Sequence, residues 1–290
     1  MQNGELRDRV IVITGGNAGI GKETAVGLAQ KGATVVITAR DQQRGAAALE
    51  EIRGRTGRDD ERLVVMPLDL ASFASIRAFA SDLLDRSDRL DVLVNNAGLV
   101  LRQRRETADG FEMTFGVNHL GHFLLTDLLL DRLRAGESAR IVNVSSDAHK
   151  QARNGLDFDD LQSTRRYRGF AVYSKSKLAN ILFTRELARR LDGTNVTVNA
   201  LHPGFVASRF GRDGDTGRFG DVAMLVTRPF AINAAQGALT SIHVASSPDV
   251  DGITGQYWYK CALATPSRAA QDDAAARRLW QVSEQLIAGR

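Results

Sequence analysis

The sequence holds a single cysteine, Cys261, among 290 residues. That excludes an intramolecular disulfide framework and fits a reducing compartment. No apolar run approaches the length of a membrane span, and the opening residues MQNGELRDRV contain neither a signal-peptide core nor an anchor. A soluble, cytoplasmic protein without a membrane anchor is the expectation. Charge of one sign is not concentrated either. The net charge is +4 and the isoelectric point near 9.4, but the basic residues are mostly Arg interleaved with acids. Beyond Arg102-Gln103-Arg104-Arg105 and Arg165-Arg166-Tyr167-Arg168 there is no clustering, so no nucleic-acid partner is expected. Lysine and tyrosine are scarce too, and this scarcity singles out Tyr173-Ser174-Lys175-Ser176-Lys177, where three of them fall together.

What is there is an alternation. Short apolar, β-branched runs at Val10–Thr14, Ala33–Ala39, Arg62–Pro67, Leu90–Val94, Ala139–Ser145, Asn195–His202 and Gly255–Tyr259 read as buried strands. Helical patterns separate them, including Ile20–Lys31, Gln42–Arg55, a stretch begun by Ser72 as cap, Gly110–Leu133, Tyr173–Leu191, Pro229–Ala245 and a C-terminal amphipathic helix over 271–288. With no repeat and no linker, residues 1–290 read as one α/β domain: a Rossmann-type, doubly wound parallel sheet of about seven strands with helices on both faces. The stretch 207–228 is Gly-rich, charged and without period, and reads as a lid or binding loop.

The first strand runs into Thr14-Gly15-Gly16-Asn17-Ala18-Gly19-Ile20-Gly21 and then a helix. Strand, glycine turn and helix N-terminus together make a cradle for a pyrophosphate. At the end of the second strand, where an acid would hold a ribose 2′-hydroxyl, stand Ala39 and Arg40. Arginine suits a 2′-phosphate, so NADP(H) is expected over NAD(H), with Asp41 as the feature that argues the other way. The fourth strand ends in Asn95-Asn96-Ala97-Gly98, at the carboxyl edge where ligands of such sheets lie. His119 and His122 are three apart, but no third ligand of matching spacing accompanies them, so no metal is expected. Tyr173 and Lys177 share one helical face. A lysine charge beside the phenol is expected to lower its pKa from about 10 toward the range useful for proton transfer.

Taken together, Thr14-Gly15-x3-Gly19-x-Gly21, Asp69-Leu70, Asn95-Asn96-Ala97-Gly98, Asn118, Ser146, Tyr173-x3-Lys177 and Pro203-Gly204 resemble, in order, the short-chain dehydrogenase/reductase family. Within it, Asn17-Ala18-Gly19-Ile20-Gly21-Lys22-Glu23-Thr24, Val117-Asn118-His119-Leu120-Gly121-His122-Phe123 and the tail Arg277-Arg278-Leu279-Trp280 are similar to the retinol-dehydrogenase group. The resemblance implies an oxidoreductase that moves a hydride between a nicotinamide and a hydrophobic alcohol/carbonyl pair. It implies Tyr173 as general acid or base, Ser146 as the group that binds the substrate oxygen (Ser145 being the alternative), Lys177 on the nicotinamide ribose, and Asn118 holding a relay water. Gly15, Asn17, Gly19, Ile20 and Gly21 would line the pyrophosphate, Asp69 and Leu70 the adenine. Asn96, Ala97 and Gly98 would flank the ribose side, and Pro203, Gly204, Val206 and Ser208 the nicotinamide amide. The family is often dimeric or tetrameric, so a homodimer or homotetramer is implied. A non-catalytic nucleotide sensor or scaffold on the same fold is the competing reading. The aromatic residues of the 205–230 loop suit an apolar substrate or the packing of the loop itself.

Overall fold

The computed structural model describes residues 6–58, 61–206 and 232–289. Its centre is an eight-stranded sheet ordered β3-β2-β1-β4-β5-β6-β7-β8. The strands are β1 (Val10–Ile13), β2 (Thr34–Ala39), β3 (Leu63–Pro67), β4 (Val92–Asn95), β5 (Ala139–Val144), β6 (Val196–Leu201), β7 (Tyr257–Tyr259) and β8 (Ala262–Leu263). All neighbours are parallel except β7 and β8. The eighth strand is absent from the sequence reading. It is two residues long and is reached through Lys260 and Cys261, both at positive φ (50° and 59°) without the glycine or asparagine that usually marks such a turn.

The eight α-helices among the described residues are α1 (Gly19–Gln30), α2 (Gln42–Thr56), α3 (Phe73–Arg86), α4 (Met113–Phe115), α5 (Gly121–Arg134), α6 (Gly169–Arg190), α7 (Ala234–Ser246) and α8 (Asp273–Ala288). The strand residues alternate between two cores. Ile11 and Ile13 pack toward α1, α2 and α7, whereas Val12 packs toward α3, α5, α6 and α8. With both faces covered, the strands carry uninterrupted apolar runs. Because β1 pairs β2 on one side and β4 on the other, the chain reverses direction across the sheet at this point, opening a crevice at the carboxyl ends of β1 and β4.

The single helix expected over Gly110–Leu133 is three pieces. Glu112 is fully buried, and its carboxylate accepts the N–H groups of Thr114 and Phe115 at 2.8 and 2.6 Å, which starts α4 at Met113. A π-helical turn, Gly116–Leu120, then joins α4 to α5, with the Gly121 N–H donating to the Gly116 carbonyl. Glycine at both ends lets neighbouring segments approach closely. A side chain at Gly121 would lie 2.7 Å from the Leu70 carbonyl oxygen, and one at Gly116 would meet the methyl of Thr107.

The C-terminal helix α8 buries Ala276, Leu279, Trp280, Ser283 and Ile287, one face of its period. Trp280 meets Phe123 edge-on at 4.8 Å and stacks on Phe183 at 5.9 Å, with the Arg190 guanidinium 4.3 Å above its ring. Ser283 bonds the buried ring of His119 at 2.8 Å. The helix is therefore part of the core, and Trp280→Ala is expected to destabilise the protein by about 3 kcal/mol through the cavity it leaves, lowering the urea midpoint with an unchanged m-value.

Candidate active site

The glycine turn after β1 is shaped by backbone demands. Gly15 and Gly19 have φ of +64° and +52°, which disfavour any other residue. A side chain at Gly21 would collide with the Gly15 carbonyl and approach Asn96 Nδ2 to 2.5 Å. Ala18 stands at the N-cap of α1 and supplies no capping side chain, and the first turn of α1 contains no acid. The N–H groups of that helix end are thus left for an outside anion, and the residues fit a dinucleotide pyrophosphate.

Thr14 ties this turn to the end of β4. Its buried hydroxyl accepts the Asn96 and Ala97 N–H groups at 2.9 and 3.0 Å, while Asn96 Nδ2 donates back to the Thr14 carbonyl at 2.8 Å. The same hydroxyl lies 2.9 Å from His122 Nε2, and His122 Nδ1 lies 3.2 Å from the Asn118 carbonyl. A carbonyl only accepts, so Nδ1 carries the proton and Nε2 accepts from Thr14. Burial pushes the His122 pKa down to about 3, keeping the ring neutral. His119 points away, to Ser283, so the two histidines do not converge.

At the end of β2, Ala39 is buried and Arg40 is exposed. Asp41, the competing acid, is the N-cap of α2 and accepts the Arg44 N–H at 3.0 Å. Asp69 is likewise engaged within its own turn, accepting the Ala71 N–H at 3.0 Å, beside a buried Leu70. Asn17 and Ile20 are half-buried at the turn, as are Pro203, Gly204 and Val206 beyond β6. Gly204 has φ of +87°, and Phe205 beside it is exposed. Ser208 and the expected lid over 207–228 lie outside the described residues.

Asn118, Ser146, Tyr173 and Lys177 are brought together at the carboxyl ends of β4 and β5. The Asn118 side chain exchanges two hydrogen bonds with the Leu99 backbone, at 2.8 and 2.9 Å, and donates to Ser176 Oγ at 2.9 Å. Lys177 is buried and donates from Nζ to the Val144 carbonyl at 3.0 Å. Gly98 leaves room for the amine, since a side chain there would lie 3.2 Å from Nζ. Ser146 lies close enough to the Tyr173 phenol to pull its pKa down, and its oxygen accepts the Ala148 N–H at 3.2 Å. Ser145 is excluded from that task because its hydroxyl donates to the Lys177 carbonyl at 2.7 Å and is buried.

The electrostatics correct one expectation. Burial pushes the Tyr173 pKa up to about 12, and the Ser146 hydrogen bond only partly opposes this. Lys177, whose Nζ donates to the Val144 carbonyl and lies 5.8 Å from the centre of the phenol ring, does not outweigh that burial. Burial instead lowers the Lys177 pKa to about 8.

Behind the cluster a buried polar ladder fixes the frame. Asn95 Nδ2 donates to Thr126 and to Asn143 Oδ1, and Asn143 Nδ2 donates to Thr184. This joins α5, β4, β5 and α6 at the level of the site. Thr14, His122, Asn143 and Ser176 were not singled out as site residues from sequence. Each reaches a partner at least 41 positions away, and the only local contacts of these side chains among the described residues are His122 with the Asn118 carbonyl and Ser176 with the Tyr173 carbonyl.

The family model for short chain dehydrogenases matches residues 9–158 and 161–217. Mouse retinol dehydrogenase 14 is 46% identical over 293 residues, covering 98% of this chain and 87% of that one. Among solved structures, an uncharacterised protein from Mycobacterium paratuberculosis superposes with a TM-score of 0.76 at 36% identity, over 98% of this chain and 94% of its own. A Pseudomonas aeruginosa RhlG/NADP active-site complex superposes with a TM-score of 0.69 at 28% identity, over 88% and 96%. Motif order, sheet topology and these likenesses agree: the chain belongs to the short-chain dehydrogenase family, oxidoreductases that bind a nicotinamide cofactor and act on CH–OH and C=O groups.

Proposed function

We propose that this protein is an NADP(H)-dependent oxidoreductase for a hydrophobic alcohol/carbonyl pair, with Tyr173 as its general acid–base. The observation that carries the reading is the convergence of Asn118, Ser146, Tyr173 and Lys177 at the carboxyl ends of the strands, next to the uncapped start of α1. When bound, the nicotinamide supplies or accepts the hydride. The residues do the rest. Ser146 Oγ accepts the Ala148 N–H, which makes its own hydrogen a better donor to a substrate oxygen. Tyr173, with its pKa high, holds its proton at neutral pH and delivers it to that oxygen, which favours the direction of reduction. The base role in oxidation requires the phenolate, and a neighbouring positive charge is what would form it.

The apolar character of the substrate is supported by Phe170, one turn before Tyr173 on α6. It is 61% exposed, and its ring centre lies 6.2 Å from that of the phenol. Phe205 offers a second exposed apolar surface beyond Pro203-Gly204. Retinol dehydrogenases among the relatives point to the same class. NADP(H) preference is supported by exposed Arg40 together with the commitment of Asp41 to capping α2.

Tyr173→Phe is expected to lower turnover of an apolar carbonyl by about a hundredfold or more while NADPH affinity changes little, read by steady-state kinetics and nucleotide fluorescence titration. Retained turnover refutes the acid–base role. Loss of turnover in the unaltered chain, with NADPH still bound, favours the sensor. Arg40→Asp is expected to weaken NADPH binding about tenfold or more and leave NADH binding equal or tighter. The buried amine gives a pH test. Folded Lys177 loses its proton near 8 and the unfolded lysine near 10.5, so the unfolded chain binds more protons between these values. Relative to Lys177→Met, the ligand-free protein should gain stability as pH rises through that window, by roughly 2–3 kcal/mol, and run parallel to it below pH 8. Paired thermal melts from pH 7 to 10.5 read the difference.

A further inference from the structure

The structure assigns a positioning role to His149. Its imidazole, held in one tautomer between the Ser146 carbonyl and the Ser267 N–H, fixes the Ser146 peptide so that the hydroxyl faces the Tyr173 phenol. The inference rests on the reading of Ser146 as the residue that binds the substrate oxygen.

His149 is fully buried, and both ring nitrogens are engaged. Nδ1 lies 2.7 Å from the Ser146 carbonyl oxygen, which only accepts, so Nδ1 carries the proton. The Ser267 N–H, which only donates, reaches Nε2 at 3.0 Å, so Nε2 is bare. No other neutral tautomer satisfies both. Burial also disfavours the imidazolium, with Asp147 pulling the pKa up and Lys150 down. Tyr257 closes one side of the ring edge-on at 5.3 Å.

The need for such a clamp follows from the local backbone. Ser146 is the extended N-cap of a 3-10 turn over Asp147–Gln151. Its carbonyl receives the His149 N–H at 3.1 Å and, in addition, the His149 ring. A 3-10 turn of this length holds weakly by itself. The ring bond adds a second buried constraint on the peptide that aims the serine hydroxyl. Through Ser267 it also anchors that peptide to the C-terminal segment, where the next turn, Arg268–Gln271, buries Ala270 completely. Small displacements of a group that must meet a reacting oxygen reduce rate far more than they reduce folding stability.

Three substitutions in the full chain separate the two bonds. His149→Asn keeps a donor at the position of Nδ1 and lacks Nε2. His149→Gln keeps an acceptor at the position of Nε2 and lacks Nδ1. Ser267→Pro removes the N–H, together with a buried hydroxyl that has no hydrogen-bond partner among the described residues, at a position whose φ of −62° already suits proline. The measurements are kcat and KM for NADPH-driven reduction of the apolar aldehyde that the unaltered protein turns over fastest, NADPH Kd, and thermal midpoint, with Ser146→Ala as reference.

His149→Gln should lower kcat about tenfold or more with NADPH Kd within about twofold, and His149→Asn should recover most of the loss. Ser267→Pro should lower kcat by a smaller factor, and should have no further effect on the His149→Asn background, where its partner is gone. Equal losses in the Asn and Gln variants, or losses that track the thermal midpoint alone, would show a packing role and overturn the inference. So would an unaltered kcat in His149→Gln beside an inactive Ser146→Ala. If Ser146→Ala itself turns over like the unaltered protein, the reading of Ser146 fails and takes the inference with it.

Discussion

The site is built around a buried amine. Lys177 is 3% exposed and, among the described residues, donates to one acceptor, the Val144 carbonyl. Removing an ammonium from water without a partner charge is costly, and the lowered pKa records that cost. The surroundings are arranged to tolerate it. Gly98 is bare where a side chain would crowd Nζ, Ser145 anchors the Lys177 carbonyl, and Asn180 shares the Val144 oxygen at 3.4 Å. A group this expensive to bury has a use, and a nicotinamide ribose together with a phenol is the use the motif implies.

Around that amine, two rigid layers meet. One is the glycine turn, pinned to β4 through the Thr14 hydroxyl. The other is the pair α5–α6, pinned to β4 and β5 by the Asn95–Asn143 ladder. His122 joins them, because it bonds Thr14 with one nitrogen and the Asn118 carbonyl with the other. The π-helical turn is what brings Asn118 to that junction. Its side chain holds Leu99, just past the Asn95–Gly98 run, so cofactor-side and substrate-side elements share one scaffold.

Much of this was legible in the sequence, for physical reasons. Parallel strands covered on both faces must be apolar throughout, so the first seven strands stood out and their expected bounds lie within three residues of those observed. Ser72 caps α3 as expected, accepting the Ser75 N–H. The four residues Asn118, Ser146, Tyr173 and Lys177 do converge. What was not legible depends on distant partners. The β8 strand follows a turn with no turn-forming residues, and the close approach of Leu70 to Gly121 beside the π turn comes from far away in sequence. The direction of the Tyr173 pKa depended on how deeply the fold buries the phenol, which i, i+4 spacing does not specify. His149 had no recognisable pattern, since its second partner lies 118 residues away.

Hydride transfer to a carbonyl carbon is the reaction that we propose these residues support. The most direct test uses NADPH deuterated at the transferring C4 position, incubated with the purified chain and an apolar aldehyde, and the alcohol analysed by mass spectrometry. One deuterium on the former carbonyl carbon, on one face only, is expected. An alcohol formed without the label, or with the label on both faces equally, would contradict it.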